Sequence, residues 1–457
     1  MHRSPLFARR SARALVLTSS LFVALVDAVN CSSGETPNGG EAGGGGAGGV
    51  ASGATSSNGP SGTTSGATTS GPTTSASSGT TSATSGGATS STSSGTTSTS
   101  SSSGGTGPAS DGTMTVVGTG CTPPAAYNNL FISVLGQTQA TSNTKLAAAW
   151  NQLFNPSNAN TIFYTGPGTG EAYVKDVADN AVRSEGQSYG MMIALQLNHQ
   201  TEFDELWTFV KNHMWKGNTI SWQTSTAGAV TGSGGAPDGD EWFAAALVFA
   251  ANRWGNTSGK YDYATEAQKT LDLVRTTDFS STYNLVRYFT GTDGNGTDAS
   301  YMLPAYYQSW ACFDTANAAF WNKALTNTRA WLQTAAGTTG NIGDQSSFAG
   351  ATTNSSGDDK LRTIAWFMSD YNFFKADTFE PTYASEYATW VSTHSNGSTA
   401  MLACNGLLGF GLPASSGKSW VQSLWNVAIP TGQFRYYDGA LYTIALLHAS
   451  GAFRLYY

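Results

Sequence analysis

Three groups of acidic residues in this chain stand at the heads of small, apolar, helix-like runs, where their carboxyls could share one cleft. The first is Glu185, followed by Gly186, Gln187, Ser188, Tyr189, Gly190, Met191, Met192, Ile193 and Ala194. Ser184 and Gln187 have the spacing of a capping box, which predicts a helix start at Ser184. The run behind it is apolar nearly all round, so this helix is buried. The second group is Asp238, Asp240 and Glu241, leading into Trp242 and the run 243–250. The third is Asp358 and Asp359, leading through Lys360 and Arg362 into 363–368. Any one of these acids could serve only as a helix cap or a dipole partner. Three acids within four residues exceed what one cap needs, and Arg362 is spaced to pair with an acid on its own helix face. The chemistry that uses separated carboxyls is glycosidic cleavage. One carboxyl hands a proton to the leaving oxygen, and a second, ionised, activates water or attacks the sugar. Burial raises a carboxyl's pKa and a helix start opposes it. Glu185 therefore needs desolvation or a neighbouring like charge to hold a proton, and such a split between acids assigns their roles.

Stepping outward, helix-period runs recur over 126–135, 142–154, 184–198, 201–215, 239–254, 262–275, 302–311, 315–335, 359–374, 383–395, 399–409, 417–425 and 437–450. Only 161–164 and 283–289 suggest strands, so the domain is mostly α. The runs 184–198, 239–254, 399–409 and 437–450 are small and apolar, whereas 142–154, 201–215, 262–275 and 315–335 are mixed and amphipathic. Their alternation predicts an inner and an outer ring of helical hairpins; an irregular bundle is the alternative. In a ring, the inner helices run parallel and their N-termini meet at one rim, which would gather the acids.

Composition narrows the partners. A net charge of −7 without a basic cluster argues against nucleic acid. Low charge (11%) with thirteen Trp and nineteen Tyr fits a secreted carbohydrate-active protein, although aromatics also fill large cores. Residues 1–31 read as an export signal, with Arg3, Arg9, Arg10 and Arg13 ahead of a short apolar run over 14–26. Cys31 ahead of a Ser/Gly tract gives a lipoprotein start as the lesser alternative. Residues 32–113 are almost wholly Gly, Ser, Thr and Ala, a flexible tether that could hold a catalytic domain off a surface. The folded domain spans 120–457, with a monomer expected. Cys121, Cys312 and Cys404 allow at most one internal bridge, whose pairing is left open. The five histidines lack zinc-ligand spacing, and 292–298 reads as a Gly/Asn turn rather than a calcium loop.

Residues 183–192 resemble the segment around the proton donor of glycoside hydrolase family 8. Ala236, Pro237, Asp238, Gly239 and Asp240, followed by Ala244, Ala250 and Trp254, resemble that family's second signature, with Pro237 and Phe243 as departures. Asp359, Lys360, Leu361 and Arg362 are similar to its Asp-x-x-Arg element, with Asp358 where Tyr is usual. The resemblance runs from about Tyr127 to the C-terminus. It implies an (α/α)6 barrel and inversion of the anomeric centre without metal or organic cofactor. It further implies Glu185 as general acid, Asp359 as base with Asp358 as fallback, and Asp238 as the acid holding the sugar. Arg362 would orient the base, Tyr301 would position the water or the base, and Trp242 would join the substrate-binding set. The substrate would be a β-1,4-linked polysaccharide or oligosaccharide, with 236–239, 251–255 and 303–307 closest to the xylan-active branch. A β-glucan or chitosan hydrolase, or a non-catalytic sugar-binding surface protein, are the alternatives.

Overall fold

The computed structural model describes residues 117–357, 359–395 and 397–457. The export segment, Cys31, the tether and Asp358 lie outside the described residues. Among the described residues a short turn, α1 (Leu130–Ser133), precedes twelve longer helices. Six of these alternate as an outer set: α2 (Gln139–Leu153), α4 (Gln200–Phe209), α6 (Tyr263–Leu273), α8 (Ala318–Ala335), α10 (Glu380–His394) and α12 (Ala414–Asn426). The inner set is α3 (Ser184–Leu197), α5 (Pro237–Trp254), α7 (Pro304–Phe313), α9 (Thr363–Phe374), α11 (Thr399–Gly406) and α13 (Arg435–Ala449). Each inner helix packs on the next, and α13 packs back on α3, so the ring closes as an (α/α)6 barrel.

Residue type explains the two sets. Inner helices carry small or apolar side chains all round, and α3, α5 and α13 are buried over most of their length. Outer helices bury one stripe. In α8 this is Trp321, Ala324, Leu325, Thr328, Trp331 and Leu332, at the i, i+3, i+4, i+7 spacing of one face. Two outer helices loosen at the end: α4 and α6 each run on into one π turn, Val210–Met214 and Val274–Asp278.

Two expectations change. No capping box opens α3: Arg183 occupies the cap position without a side-chain bond. The Gln187 amide instead accepts from Val174 N (2.9 Å) and donates to Leu206 O (3.0 Å), fastening α3 to its neighbours. The segment 283–289 forms no strand. It holds a turn and two isolated bridges, Phe279 to Val286 and Phe289 to Thr292, because Ser280 Oγ accepts from Thr282 N and Tyr283 N and closes the chain on itself. Strand β1 (Phe163–Thr165) pairs antiparallel with β2 (Ala172–Val174). A second sheet runs β3 (Ala181–Arg183), β4 (Gln223–Ser225), β5 (Val230–Gly232), and a third pairs β6 (Gln345–Ser346) with β7 (Thr352–Asn354). These short ribbons lie in the loops between helices. Cys121 is bonded to Cys312, and Cys404 is free and buried.

Candidate active site

The inner helices deliver side chains to one place through their starts. Glu185 lies in the first turn of α3 and Asp238 in the first turn of α5. Asp359 and Arg362 bound the 3-10 turn ahead of α9, and Tyr436 and Tyr437 open α13. Ser300 and Tyr301 come from the 3-10 turn Ala299–Tyr301, just ahead of α7.

Arg362 is the hub. Its side chain is fully buried, and its guanidinium reaches three carboxylates: Glu185 Oε2 at 2.6 Å and Asp238 Oδ2 at 3.3 Å from Nη1, and Asp359 Oδ2 at 3.4 Å from Nη2. Nη1 also donates to Tyr189 Oη (2.8 Å) and Nη2 to Ser300 Oγ (3.2 Å). One guanidinium touching both acids keeps Glu185 and Asp359 within the span of a single side-chain head group. Each carboxylate has a second donor. Tyr436 Oη donates to Glu185 Oε1 (2.9 Å), and Tyr437 Oη donates to Asp359 Oδ1 (3.1 Å). Asp238 Oδ1 accepts from Gly239 N (2.8 Å).

Two glycines permit this crowding. A Cβ on Gly186 would overlap the Tyr436 ring, and one on Gly239 would overlap Ser184. Their absence lets α13 and α5 press their first turns against that of α3. On the outer side, Arg183 pairs with Asp176 and Asp179 and fixes the strand that feeds α3.

The electrostatics separate the two acids. Burial pushes Glu185 up to about 8, against the Arg362 charge and with help from Asp238 and Asp359. Burial raises Asp359 only to about 6, again opposed by Arg362. Between these values Glu185 holds its proton while Asp359 is ionised. The remaining acids of the second cluster play other parts. Asp240 and Glu241 are pushed well above the carboxylate range by burial, and Glu241 accepts from Tyr307 Oη (2.8 Å).

The other residues singled out in the sequence sort as follows. Tyr301 is buried with its ring 5.9 Å from the Arg362 guanidinium and stacked on Tyr288, beside the site. Trp242 is 1% exposed and packed among Tyr189, Tyr306 and Trp366. It offers no open face to a sugar, so its place in the substrate-binding set is corrected: it forms the floor. In 292–298, Asp293 pairs with Arg287 and Asp298 caps the Ala299–Tyr301 turn. Sequence reasoning missed Tyr436 and Tyr437. Their signal was an acid and two tyrosines at the head of a small apolar run, the pattern used for the other helix starts.

The profile of glycosyl hydrolases family 8 matches residues 121–393. The reducing-end xylose-releasing exo-oligoxylanase Rex8A of Paenibacillus barcinonensis is 29% identical over 375 residues, covering 72% of this chain and 97% of that protein. A xylanase of Teredinibacter turnerae, solved as a catalytic mutant with xylohexaose, superposes with a TM-score of 0.69 at 29% identity, over 72% of this chain and 98% of that one. Endoglucanase C of Ruminiclostridium cellulolyticum is 30% identical, but over 43% of each chain.

Proposed function

Because this chain belongs to glycosyl hydrolases family 8, we propose that it hydrolyses β-1,4-linked xylan or xylo-oligosaccharides with inversion at the anomeric carbon. Glu185 protonates the leaving oxygen, Asp359 takes a proton from the attacking water, and Asp238 holds the sugar ring at the point of cleavage. Arg362 orients Asp359 and keeps it ionised. The observation that carries this reading is the single buried guanidinium bridging Glu185, Asp238 and Asp359. It draws three acids, far apart in the chain, to one point, and two of them, Glu185 and Asp359, differ in proton affinity.

The substrate class is supported by extent of similarity. Relatives matched over nearly their whole length are described as xylo-oligosaccharide-cleaving enzymes, whereas the endoglucanase match spans under half of its partner. β-Glucan is the second reading, on the strength of that endoglucanase match. Purified protein incubated with xylohexaose and followed by NMR should release the α-anomer first; initial β-anomer would contradict inversion. Barley glucan turned over much faster than xylan would move the assignment to glucan.

Export through residues 1–31 and display on the 32–113 tether complete the proposal. The Cys121–Cys312 bridge supports it, since such bridges persist outside the reducing cytosol.

A further inference from the structure

Tyr437 and Arg362 hold the Asp359 carboxyl, but the chain that carries it needs its own support. Asp359 opens the 3-10 turn Asp359–Arg362, and the first N–H groups of a helical turn have no partner inside it. One of them, Lys360 N, finds an acceptor outside: Asp344 Oδ1 at 3.0 Å. Caps ordinarily stand next to the helix they serve. This one comes from 16 residues upstream, just ahead of β6. The same carboxylate meets the Lys360 ammonium through Oδ2 at 3.5 Å, and Lys360 Nζ donates to Ser355 O (2.5 Å). Gly357 passes so near that a Cβ there would stand 3.0 Å from the Asp344 carboxyl. One buried carboxylate thus lies against the chain on both sides of Asp359. Being anionic, it makes a stronger bond to an N–H than a neutral acceptor would.

Asp344 suits an anchor because its own surroundings are fixed. Gly343 N donates to Thr352 Oγ1 (3.2 Å), and Gln345 pairs with Asn354 on β7. Gln345 Nε2 donates to Asn295 O (2.7 Å), and Ser346 exchanges backbone hydrogen bonds with Thr297 at 2.8 Å. Asp298, next to Thr297, accepts from Ser300 N (2.7 Å), and Ser300 Oγ meets Arg362. The β6 segment therefore braces both ends of the turn, Lys360 through Asp344 and Arg362 through Asp298 and Ser300.

We propose that Asp344 is a positioning residue for the base: through Lys360 N it fixes the turn that aims Asp359 at the attacking water. The inference rests on the function assigned above and adds a residue that acts through the backbone. Asp344 also reaches the base by charge. The groups facing Asp359 are Arg362 in its own turn, Tyr437 on α13, Asp238 on α5, Glu185 on α3, Asp298 ahead of α7, and Asp344. Burial raises the Asp359 carboxyl, Arg362 opposes it, and the charges of Asp238 and Asp344 add to the rise. Position and charge separate experimentally, because Asp344→Asn keeps an oxygen for Lys360 N and drops the charge.

The test measures kcat, KM and the pH dependence of kcat/KM on xylohexaose in the full chain, for the wild type, Asp344→Asn and Asp344→Ala. Asp344→Asn should keep most of kcat and move the acidic limb to lower pH, since a carboxyl beside one fewer negative charge gives up its proton more readily. Asp344→Ala should show the same shift and lose about 10–10²-fold in kcat with KM little changed, because Lys360 N has no acceptor and the base is no longer aimed. Should Asp344→Ala fail to fold, Asp344→Ser, whose oxygen is drawn back from Lys360 N, takes its place in the kcat comparison. An acidic limb unmoved in Asp344→Asn would overturn the inference, as would full kcat in the variant that removes the acceptor. Equal losses of kcat in Asp344→Asn and Asp344→Ala, as a structural defect gives, would overturn it too. Wild-type protein inert on xylohexaose would sink the reaction assigned above and this role with it, whereas any of the other failures in an active enzyme sinks the positioning role alone.

Discussion

The unequal burial and pairing of two carboxyls set the expected pH behaviour. Catalysis as proposed needs Asp359 ionised and Glu185 protonated. Asp359 at about 6 sets the acidic limb and Glu185 at about 8 the alkaline limb, so kcat/KM should trace a bell between them. A flat profile across that interval would contradict the assignment. Glu185→Ala should lower kcat on unactivated xylohexaose by roughly 10²–10⁴-fold, the usual worth of a positioned general acid. Near-normal turnover in that variant would remove Glu185 from the mechanism. Tyr436 gives a finer test. Its hydroxyl donates to Glu185 Oε1 and so favours the ionised carboxyl. In Tyr436→Phe that donor is gone, the Glu185 pKa rises further, and the alkaline limb should move to higher pH. A purely structural defect would lower the rate and leave the limb where it was.

At the scale of elements, the site depends on how closely the first turns of α3, α5 and α13 approach. Gly186→Ala places a methyl where the Tyr436 ring lies. The overlap should cost about 1–3 kcal/mol of stability and push the phenol off Glu185. Its pH profile should therefore shift like that of Tyr436→Phe, although the hydroxyl is still present; an unshifted profile would show that the two turns can separate without consequence. The same elements mark what could be seen in advance. The inner helices α3, α5, α11 and α13 were legible because burial on every side demands small apolar residues, and that demand leaves a readable run, whereas α7 and α9, rich in Tyr, Trp and Phe, were not sorted with them. Glu185, Asp238 and Asp359 were legible because acids at the heads of such runs stand out against them. Short strands such as β2 and β3 were not, since three residues carry no period. Ser184 and Gln187 had the spacing of a cap, but a buried wall offered Gln187 better partners in Val174 N and Leu206 O. The burial of Trp242 was not legible, because an aromatic beside acids looks the same in sequence whether its ring faces a cleft or is packed among other rings. Tyr436 and Tyr437 were not singled out, and only the closed ring shows that the last inner helix returns to the first.

Ring closure also explains the placement of the disulfide in the whole molecule. The strand of chain that enters the domain crosses the base of the barrel: Gly118 N donates to Phe373 O (2.9 Å), near the end of α9. Gln308 Nε2 on α7 donates to Gly120 O (3.0 Å), and Cys121 joins Cys312 near the end of α7. The catalytic groups sit at the opposite ends of these helices. Cys312 lies eight residues beyond Pro304, which at the helical rise puts it about 12 Å along α7 from its first turn. Stability and catalysis should therefore separate at this bridge. It closes a sequence separation of 191 residues, so its loss frees a large part of the unfolded chain and should lower unfolding free energy by about 2–5 kcal/mol. A Cys121→Ser, Cys312→Ser double variant should unfold at lower urea concentration, yet hydrolyse xylohexaose at 25 °C within about twofold of the wild-type rate and with the same bell-shaped profile. A tenfold loss of kcat in protein still fully folded at that temperature would mean that the entering strand controls the acidic rim from the far side of the ring. Retained kcat with a lowered urea midpoint would leave the base of the barrel to stability and the rim to chemistry.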